Sequence, residues 1–329
     1  MLRRLFAHSA HLERADAACV LGTVCFGAVT ERSQQDPRLE LRIPLDLLDN
    51  ERPCADFWLG AAPARVERIA GVDVATDGEL LFGWVQIDER AAGGLREAAR
   101  QAYAAIFGAL DGSQCVHPLR FWNYVPRINQ PQDGLERYRH FNIGRQEAFL
   151  AAQRAAFAGA PAACAIGTEA DKLAISFLAA KDAPTSIENP RQISAYHYPS
   201  EYGPRTPTFS RATLARKSRP TLFISGTASI VGHSSLHPGD PTAQTAETFV
   251  NLRTLVESAN TKLARSALAL ERLVYTVYVR HAADLALIRK QFALEVGEHS
   301  AAALNATFLR GDICRAELLV EIEATGTAA

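Results

Sequence analysis

A carboxylate stands within an otherwise apolar stretch near the end of the chain. Leu318, Val320 and Ile322 alternate onto one face of a predicted strand over 311–324, and Glu321 lies on the opposite face. That face also holds Leu319 and two further glutamates, so a strand with a solvated outer face explains the pattern as well. A buried strand would normally carry an apolar residue at position 321. A carboxyl group there could exchange a proton with a bound molecule.

Two neighbouring features make this glutamate a candidate for chemistry. Cys314 lies seven residues before Glu321. The segment 192–212 contains three prolines and a glycine, which predict a loop, and yet it carries several aromatic side chains, including Tyr198, Tyr202 and Phe209. Aromatic side chains in a loop need a place to bury. They either pack beneath the loop or line a pocket, and the sequence leaves both interpretations open.

Composition excludes several classes of protein. The chain has 329 residues, of which 48% are hydrophobic and 22% are charged, as expected for a folded protein of one large or two modest domains. Its formal net charge of -1 gives no field that would attract a polyanion, so we expect neither nucleic acid nor a membrane as a partner. The chain starts without a signal-peptide-like apolar run and has no stretch of membrane-spanning length. We therefore expect a soluble, cytoplasmic protein.

Metal and cofactor chemistry are not indicated. The six cysteines are scattered without a Cys-x-x-Cys pair, which argues against a zinc site and against a disulfide framework. His233 and His237 lie four positions apart in a Pro- and Gly-containing loop, without a third ligand. Neither a Gly-rich phosphate loop nor a Gly-x-Ser-x-Gly motif is present. We predict no metal and no cofactor.

Hydrophobic periodicity predicts the same order of elements twice. The later copy has predicted strands over 221–231, 273–280, 306–309 and 314–324, with helices over 242–269 and from Asp284 onward. The earlier copy has predicted strands over 79–88, 119–127 and 165–180, with helices over 94–110 and 146–158. We predict an α+β fold that arose by internal duplication. The last strand of the earlier copy carries Ser176 and no carboxylate, so at most one copy keeps the group at 321.

Several of these residues resemble a known family. Ser225-Gly226, Gln244, Asn251, Tyr278-Val279-Arg280 and the strand over 319–324 resemble the YjgF/Rid (reactive intermediate deaminase) family. The segments 120–129, 134–145 and 196–211 are more specific and resemble the chorismatases, which build Rid-like units into one longer chain and remove pyruvate from chorismate. The resemblance covers roughly 80–325 of the chain, and the first 75 residues contribute little to it.

The resemblance implies a domain plan. It consists of two fused YjgF/Rid-like (chorismate-mutase-like) α+β units with helices packed on mixed sheets. The predicted segments are an N-terminal extension over 1–75, a first, degenerate unit over 76–190, a tyrosine- and arginine-rich substrate-binding linker over 191–219, and a second unit over 220–329 that carries the catalytic glutamate.

The resemblance also implies roles for individual residues. Glu321 matches the glutamate that donates a proton to the enolpyruvyl side chain of chorismate. One branch of the family, the 3-hydroxybenzoate synthases, pairs this glutamate with a cysteine and a glycine, and Cys314 and Gly226 match them. The other branch, hydrolases that leave a dihydroxycyclohexadiene carboxylate, is expected to differ at both positions. We therefore expect pyruvate and 3-hydroxybenzoate as products, with 4-hydroxybenzoate as a further product.

Chorismate carries two carboxylates, and a neutral protein can bind such a dianion only with positioned guanidinium groups. Among the arginines, Arg137 ranks first because it lies inside the long chorismatase-like motif, followed by Arg280 and Arg211. The expected substrate-binding set is completed by Tyr124, Tyr198, Tyr202 and Gly226. We expect chorismate as the small-molecule partner and a monomer or small homo-oligomer. Two other functions stay open, namely an imine or enamine deaminase of the general Rid type and a non-catalytic binder of aromatic acids.

Overall fold

The structure is a computed structural model that describes residues 2–6, 17–27, 40–48, 54–216, 219–265 and 267–328. The strands of the first half are β1 Leu2–Phe6, β2 Val20–Phe26, β3 Glu40–Ile43, β4 Cys54–Leu59, β5 Arg65–Ile69, β6 Val72–Thr76, β7 Leu80–Asp88, β8 His117–Pro126, β9 Pro131–Gln132, β10 Leu135–Glu136, β11 Ala162–Thr168 and β12 Lys172–Ala180. The strands of the second half are β13 Thr185–Ile187, β14 Ala212–Ala215, β15 Thr221–Thr227, β16 Ile230–Val231, β17 Ser234–Ser235, β18 Val274–Val279, β19 Thr307–Arg310, β20 Asp312–Ile313 and β21 Val320–Thr327. The helices are α1 Glu89–Ala92, α2 Leu95–Asp111, α3 Arg137–Ala151, α4 Pro241–Leu263, α5 Leu285–Val296 and α6 Ala301–Leu304.

The first half builds a seven-stranded sheet in the order β20-β11-β8-β12-β7-β6-β5. β8 and β11 are parallel, whereas β12 runs antiparallel to both β8 and β7. Helices α2 and α3 cover one face, where Tyr103, Phe121 and Phe149 are buried in a common apolar core. Successive residues of β8 point to opposite faces, so Arg120, Trp122 and Tyr124 face away from the helices.

The second half repeats this arrangement. Its six-stranded sheet has the order β13-β14-β15-β21-β18-β19, and β18 and β19 are again parallel while β21 is antiparallel to β18 and β15. Each strand therefore has a counterpart in the strand order β5-β6-β7-β12-β8-β11 of the first sheet. Helices α4 and α5 cover the second sheet around Phe249, Tyr275 and Phe292. The prediction of an α+β fold with a duplicated unit is confirmed.

The two copies can be aligned residue by residue through the shared Tyr-Val pair that ends β8 and β18. Tyr278 pairs with Glu321 in the second sheet, and Tyr124 pairs with Ala174 in the first. Ala174 therefore stands where the second copy has Glu321. By the same register Ser176 stands where the second copy has Glu323.

A third sheet precedes the two units. Its order is β1-β4-β2-β3, with β2 and β3 parallel and β4 antiparallel to both β2 and β1. This is the strand pattern of β7-β12-β8-β11, so the part predicted as an N-terminal extension contains the same sheet motif. The three sheets face one another through aromatic rings: Trp58 lies 4.9 Å from Trp122 and 6.1 Å from Phe223, measured between ring centroids.

The structure changes the extent of several predicted elements. The stretch 311–324 is not one strand, because β20 pairs with β11 of the first sheet while β21 lies in the second, and the chain must turn between them. The helix predicted over 146–158 spans Arg137–Ala151, and the one predicted over 242–269 ends at Leu263. Position 144 inside α3 requires a glycine, because a Cβ atom there would overlap the backbone of Arg96 in α2.

The boundaries of the domain plan stay a prediction, and the sheets cross some of them. β5 and β6 lie in the segment predicted as extension but pair in the first sheet, and β13 lies before residue 190 but pairs in the second. Among the described residues, no helix is both long and apolar enough to cross a bilayer.

Candidate active site

A cavity of about 400 Å³ opens between helix α3 of the first unit, the linker and the second sheet. A cavity of this size suits a small, compact ligand. The residues that line it are Glu136, Tyr138, Arg139, Gln192, Tyr198, Glu201, Tyr202, Pro207, Phe209, Arg211, Gly226, Ala228, Ile230, Cys314, Arg315, Ala316, Glu317 and Glu321. Tyr198, Tyr202 and Phe209 of the linker therefore line a pocket, which is one of the two alternatives that the sequence left open.

Glu321 lies on the floor of this cavity with only 3% of its surface exposed. The strand alternation holds as predicted, since Val320 and Ile322 point into the helix-covered core. The opposite face is enclosed between sheets instead of being solvated. Burial raises the pKa of Glu321 to about 8, and the negative charge of Glu323 adds to this effect, although Arg120 and Arg280 oppose it. The carboxyl group is thus protonated at neutral pH and can serve as a general acid.

Gly226 makes room for this carboxyl group. A Cβ atom at position 226 would overlap Oε1 of Glu321 and would lie 3.1 Å from the Cβ of Cys164. Residue 226 lies where the pairing between β15 and β21 shifts its register, so the strand is irregular at this point. The absence of a side chain at 226 is therefore a direct requirement of the position that Glu321 occupies.

Cys314 reaches the cavity from the turn between β20 and β21. The Arg280 guanidinium holds that turn by donating to the carbonyl oxygens of Ile313, Arg315 and Leu318 at 2.8–3.0 Å. Burial, reinforced by Glu321, raises the pKa of the Cys314 thiol to about 12. The thiol is therefore a neutral group at pH 7 and a weak hydrogen-bond donor.

Gln244 of helix α4 fixes the other end of the same turn. Its Oε1 accepts from the backbone N–H of Leu319 at 2.7 Å, and its Nε2 donates to the carbonyl oxygen of Glu317 at 3.0 Å. Asn251, about two helical turns further on, donates to the carbonyl oxygens of Ala228 and Ile230. These two polar residues of α4 thus shape the backbone on both sides of the cavity floor.

Two arginines and two tyrosines form the cationic wall of the cavity. The Arg315 guanidinium lies 4.1 Å from the ring centroid of Tyr202 and 5.1 Å from that of Tyr198. The Arg211 guanidinium lies 5.6 Å from the ring centroid of Tyr198 and donates from Nη2 to its hydroxyl oxygen at 2.8 Å. Within the described part of the chain, Nε of Arg211 and Nη2 of Arg315 have no hydrogen-bond partner. Both atoms are enclosed by protein, but the two guanidinium groups line the cavity and bring positive charge to an anionic ligand.

Three of the residues expected to bind substrate lie elsewhere. Arg137 is buried and bonds to Glu89 and to the carbonyl oxygen of Pro126, so its guanidinium serves the first unit. Arg280 supports the turn of Cys314 from outside the cavity lining. Tyr124 is buried between the sheets, with its ring centroid 6.5 Å from that of Phe26. None of these three residues lines the cavity, and their direct contact with substrate stays a prediction.

Some cavity residues were missed from sequence. Arg315 is adjacent to Cys314 and would point away from it in the strand that the sequence predicted, whereas in a turn both reach the cavity. Tyr138 lies at the start of α3, which the periodicity placed nine residues too late. A helix start at Arg137 could have been proposed from the turn residues Asp133-Gly134 just before it.

The fold and the cavity define an α+β protein of duplicated units that holds a protonated carboxylic acid opposite a cationic wall, as suits acid catalysis on an anionic small molecule. The chain belongs to the chorismatase family. Residues 56–179 match the family model described as chorismatase FkbO/Hyg5-like, N-terminal. The chain is 33% identical over 92% of its length to a 3-hydroxybenzoate synthase from Streptomyces hygroscopicus, of which the match covers 90%.

Further relatives agree with this assignment. The chain is 37% identical to a chorismatase from Streptomyces rapamycinicus over 82% of this chain and 81% of the relative. A crystal structure of a chorismatase superposes with a TM-score of 0.89 and 31% sequence identity, covering 100% of this chain and 98% of the other. The similarity thus extends to the N-terminal sheet as well as to the two units.

Proposed function

We propose that the protein cleaves chorismate into pyruvate and 3-hydroxybenzoate, with 4-hydroxybenzoate as a second product. The observation that carries this proposal is the buried, protonated Glu321 beside Gly226 and Cys314, in a cavity whose opposite wall offers arginine donors. A relative that is 33% identical over nearly the whole chain is a 3-hydroxybenzoate synthase, which supports the same reaction.

Substrate binding follows from the charges of the cavity. Chorismate has two carboxylates, and the guanidinium groups of Arg211 and Arg315 in the cavity lining can balance their charge. Arg139 adds a third guanidinium at the cavity rim, where it lies 4.0 Å from Glu136. Stacking on the Tyr198 and Tyr202 rings holds the two wall arginines in place, which reduces the entropy lost on binding.

The chemistry starts with a proton transfer. Glu321 gives its proton to the methylene carbon of the enolpyruvyl group, and the resulting oxocarbenium centre is trapped by the neighbouring ring hydroxyl. The hydroxyl loses its proton as it forms this bond, which gives a cyclic ketal. One ring C–O bond then breaks as the neighbouring ring carbon gives its proton to the Glu321 carboxylate, and the ring becomes aromatic. The remaining hemiketal collapses to pyruvate, and the phenol oxygen takes up the proton that the hydroxyl released. One proton is gained at the methylene carbon and one is lost from the ring, so all atoms of chorismate are found in the two products. The choice of ring C–O bond decides between 3- and 4-hydroxybenzoate.

Cys314 and Gly226 are the residues proposed to set that choice. Because the Cys314 thiol is protonated at neutral pH, it acts by shape and weak hydrogen bonding and not as a thiolate base. A hydrolase of the other branch would instead add water and leave a dihydroxycyclohexadiene carboxylate. Chromatography of the ring products distinguishes the two outcomes.

The test of the proposed function is release of pyruvate from chorismate, followed with a coupled dehydrogenase. Wild-type protein should release pyruvate stoichiometrically with a hydroxybenzoate. Glu321→Gln should retain the fold and bind chorismate but lose about 10²–10⁴-fold in turnover, because the amide cannot donate a proton at pH 7. Pyruvate release within about threefold of wild type in this variant would end the assignment of Glu321. Release of ammonia from an imine, without pyruvate from chorismate, would identify a deaminase instead.

A further inference from the structure

A buried ion pair lies directly behind the proposed acid. Arg120 of β8 and Glu323 of β21 are 2% and 8% exposed, and the guanidinium donates through Nη2 to Oε2 of Glu323. Through Nη1 it also donates to the carbonyl oxygen of Ile224 in β15. The pair therefore joins strand β8 of the first sheet to the adjacent strands β15 and β21 of the second.

The other oxygen of Glu323 is also fully engaged. Its Oε1 accepts from Nε1 of Trp122 at 3.2 Å and from the hydroxyl of Tyr278 at 3.2 Å. A carboxylate that receives one guanidinium and two neutral donors is held in one orientation. Glu323 does not line the ligand cavity but faces a small void between the three sheets, so the proposed reaction does not use it directly.

Glu321 and Glu323 are two positions apart on one strand and therefore point to the same face. Ile322 between them points to the helix-covered core. The first unit has Ala174 and Ser176 at the two corresponding positions, so it lacks both carboxylates together. We propose that Glu323 is a positioning residue for Glu321: Arg120, Trp122 and Tyr278 hold its carboxylate on the same face of the strand as the acid, and its negative charge favours the neutral form of the Glu321 carboxyl.

This inference rests on the proposed role of Glu321. The groups around that residue decide whether its pKa is raised or lowered. The charged and titratable groups packed around Glu321 come from every neighbouring element: Arg120, Tyr138, Cys164, Arg280, Cys314, Arg315, Glu317 and Glu323. Burial is the largest cause of the raised pKa of Glu321, and the charge of Glu323 adds to it, whereas Arg120 and Arg280 favour the ionised form. Loss of the Glu323 charge should therefore lower the pKa of Glu321.

The test is the pH dependence of kcat/KM in Glu323→Gln. The amide oxygen can still accept from Trp122 and Tyr278, but the negative charge is gone. We expect kcat/KM to begin its alkaline fall about one pH unit or more below the pH seen in wild type. At the acidic end, activity should stay within about threefold of wild type. Glu323→Asp restores the charge and should return the alkaline limb toward its wild-type position.

A matched control separates this effect from simple loss of a buried ion pair. Glu89→Gln breaks the buried pair between Glu89 and Arg137 in the first unit, away from the cavity. It should lower the melting temperature without moving the alkaline limb. An unshifted limb in Glu323→Gln, or an equal shift in Glu89→Gln, would overturn the proposal.

A spectroscopic readout makes the result independent of catalysis. The carbonyl stretch of a neutral carboxyl group at Glu321 can be followed against pH by infrared difference spectroscopy, with Glu321→Gln as the reference. Its titration should move to lower pH in Glu323→Gln even if the protein acts on a substrate other than chorismate. If that band does not move, the positioning role of Glu323 fails while the proposed function can still stand on pyruvate release.

Discussion

Glu321 owes its chemistry to where its strand is placed, and only in part to its residue type. A glutamate on a solvated face would be ionised at pH 7 and useless as an acid. Here the same face is enclosed between two sheets, beside the carboxylate of Glu323. The side chain fits because position 226 has no Cβ atom. Single-atom changes at residues 226 and 314 should therefore be felt in the reaction.

Gly226→Ala tests the space beneath the acid. The added methyl group would overlap Oε1 of Glu321, and the buried Cys164 on its other side leaves little room for movement. We expect the Glu321 carboxyl to be displaced and turnover with chorismate to fall by at least about tenfold, while the protein still folds. Circular dichroism and pyruvate release measure the two properties. Wild-type turnover in this variant would show that Glu321 does not need its present position.

Cys314→Ala tests the choice of product. The change removes a weak donor and leaves only a small void, so folding should survive. We expect pyruvate release to continue while 3-hydroxybenzoate falls relative to 4-hydroxybenzoate or to the dihydroxydiene acid. Chromatography of the ring products gives the ratio. An unchanged product distribution at an unchanged rate would reduce Cys314 to a packing residue.

At the scale of elements, periodicity predicted what depends on local pattern. The duplicated order of helices and strands and the alternation around Glu321 follow from side-chain spacing alone, and both are observed. The turn between β20 and β21 could not be predicted in this way. It forms because β20 pairs with a strand almost 150 positions earlier, and local spacing does not report such a contact. The side chains that this turn brings to the cavity, above all Arg315, were missed for the same reason.

Helix α3 gives the complementary example. Arg137 and Arg139 are two positions apart in the same motif, and residue types alone do not tell which one faces the cavity. The structure places Arg139 at the cavity rim and buries Arg137 against Glu89. Only the packing of α3 on the first sheet decides between them.

Arg315→Met should therefore weaken substrate binding, whereas Arg137→Met should lower the stability of the fold. Arg315→Met removes a donor of the cationic wall, and we expect KM for chorismate to rise by about tenfold or more with a small change in melting temperature. Arg137→Met leaves the carboxylate of Glu89 buried with a weaker partner, and we expect it to cost about 3 kcal/mol of stability with KM unchanged. Steady-state kinetics and urea unfolding of the two variants provide the comparison. A raised KM in Arg137→Met, with unaltered unfolding, would return Arg137 to the substrate site.

At the scale of the whole molecule, one strand arrangement occurs three times, and the candidate site uses the contact between two of the copies. The first sheet supplies Arg120, the second supplies Glu321 and Glu323, and the linker closes the cavity. An acid built at such a contact is dehydrated by the folding of the entire chain. Its ionisation is therefore coupled to global stability.

This coupling predicts how stability depends on pH. The pKa of Glu321 rises from its ordinary value of 4.5 to about 8 in the folded chain. Between these values the folded chain keeps a proton that the unfolded chain has released, so folding takes up a proton and the contribution of Glu321 to stability falls as pH rises. Above about pH 8 both states have lost the proton and the contribution no longer changes.

Glu321→Gln isolates this contribution, because every other titrating group is shared with wild type. The amide has no proton to lose, so the variant should gain stability relative to wild type as pH rises from 4.5 to about 8, by on the order of a few kcal/mol in total. Urea unfolding of both proteins across this range measures the difference, and Glu257→Gln on the exposed face of α4 controls for the loss of a carboxylate. A difference that stays constant with pH would mean that Glu321 is ionised in the folded protein, and the acid would then have to be sought elsewhere in the cavity.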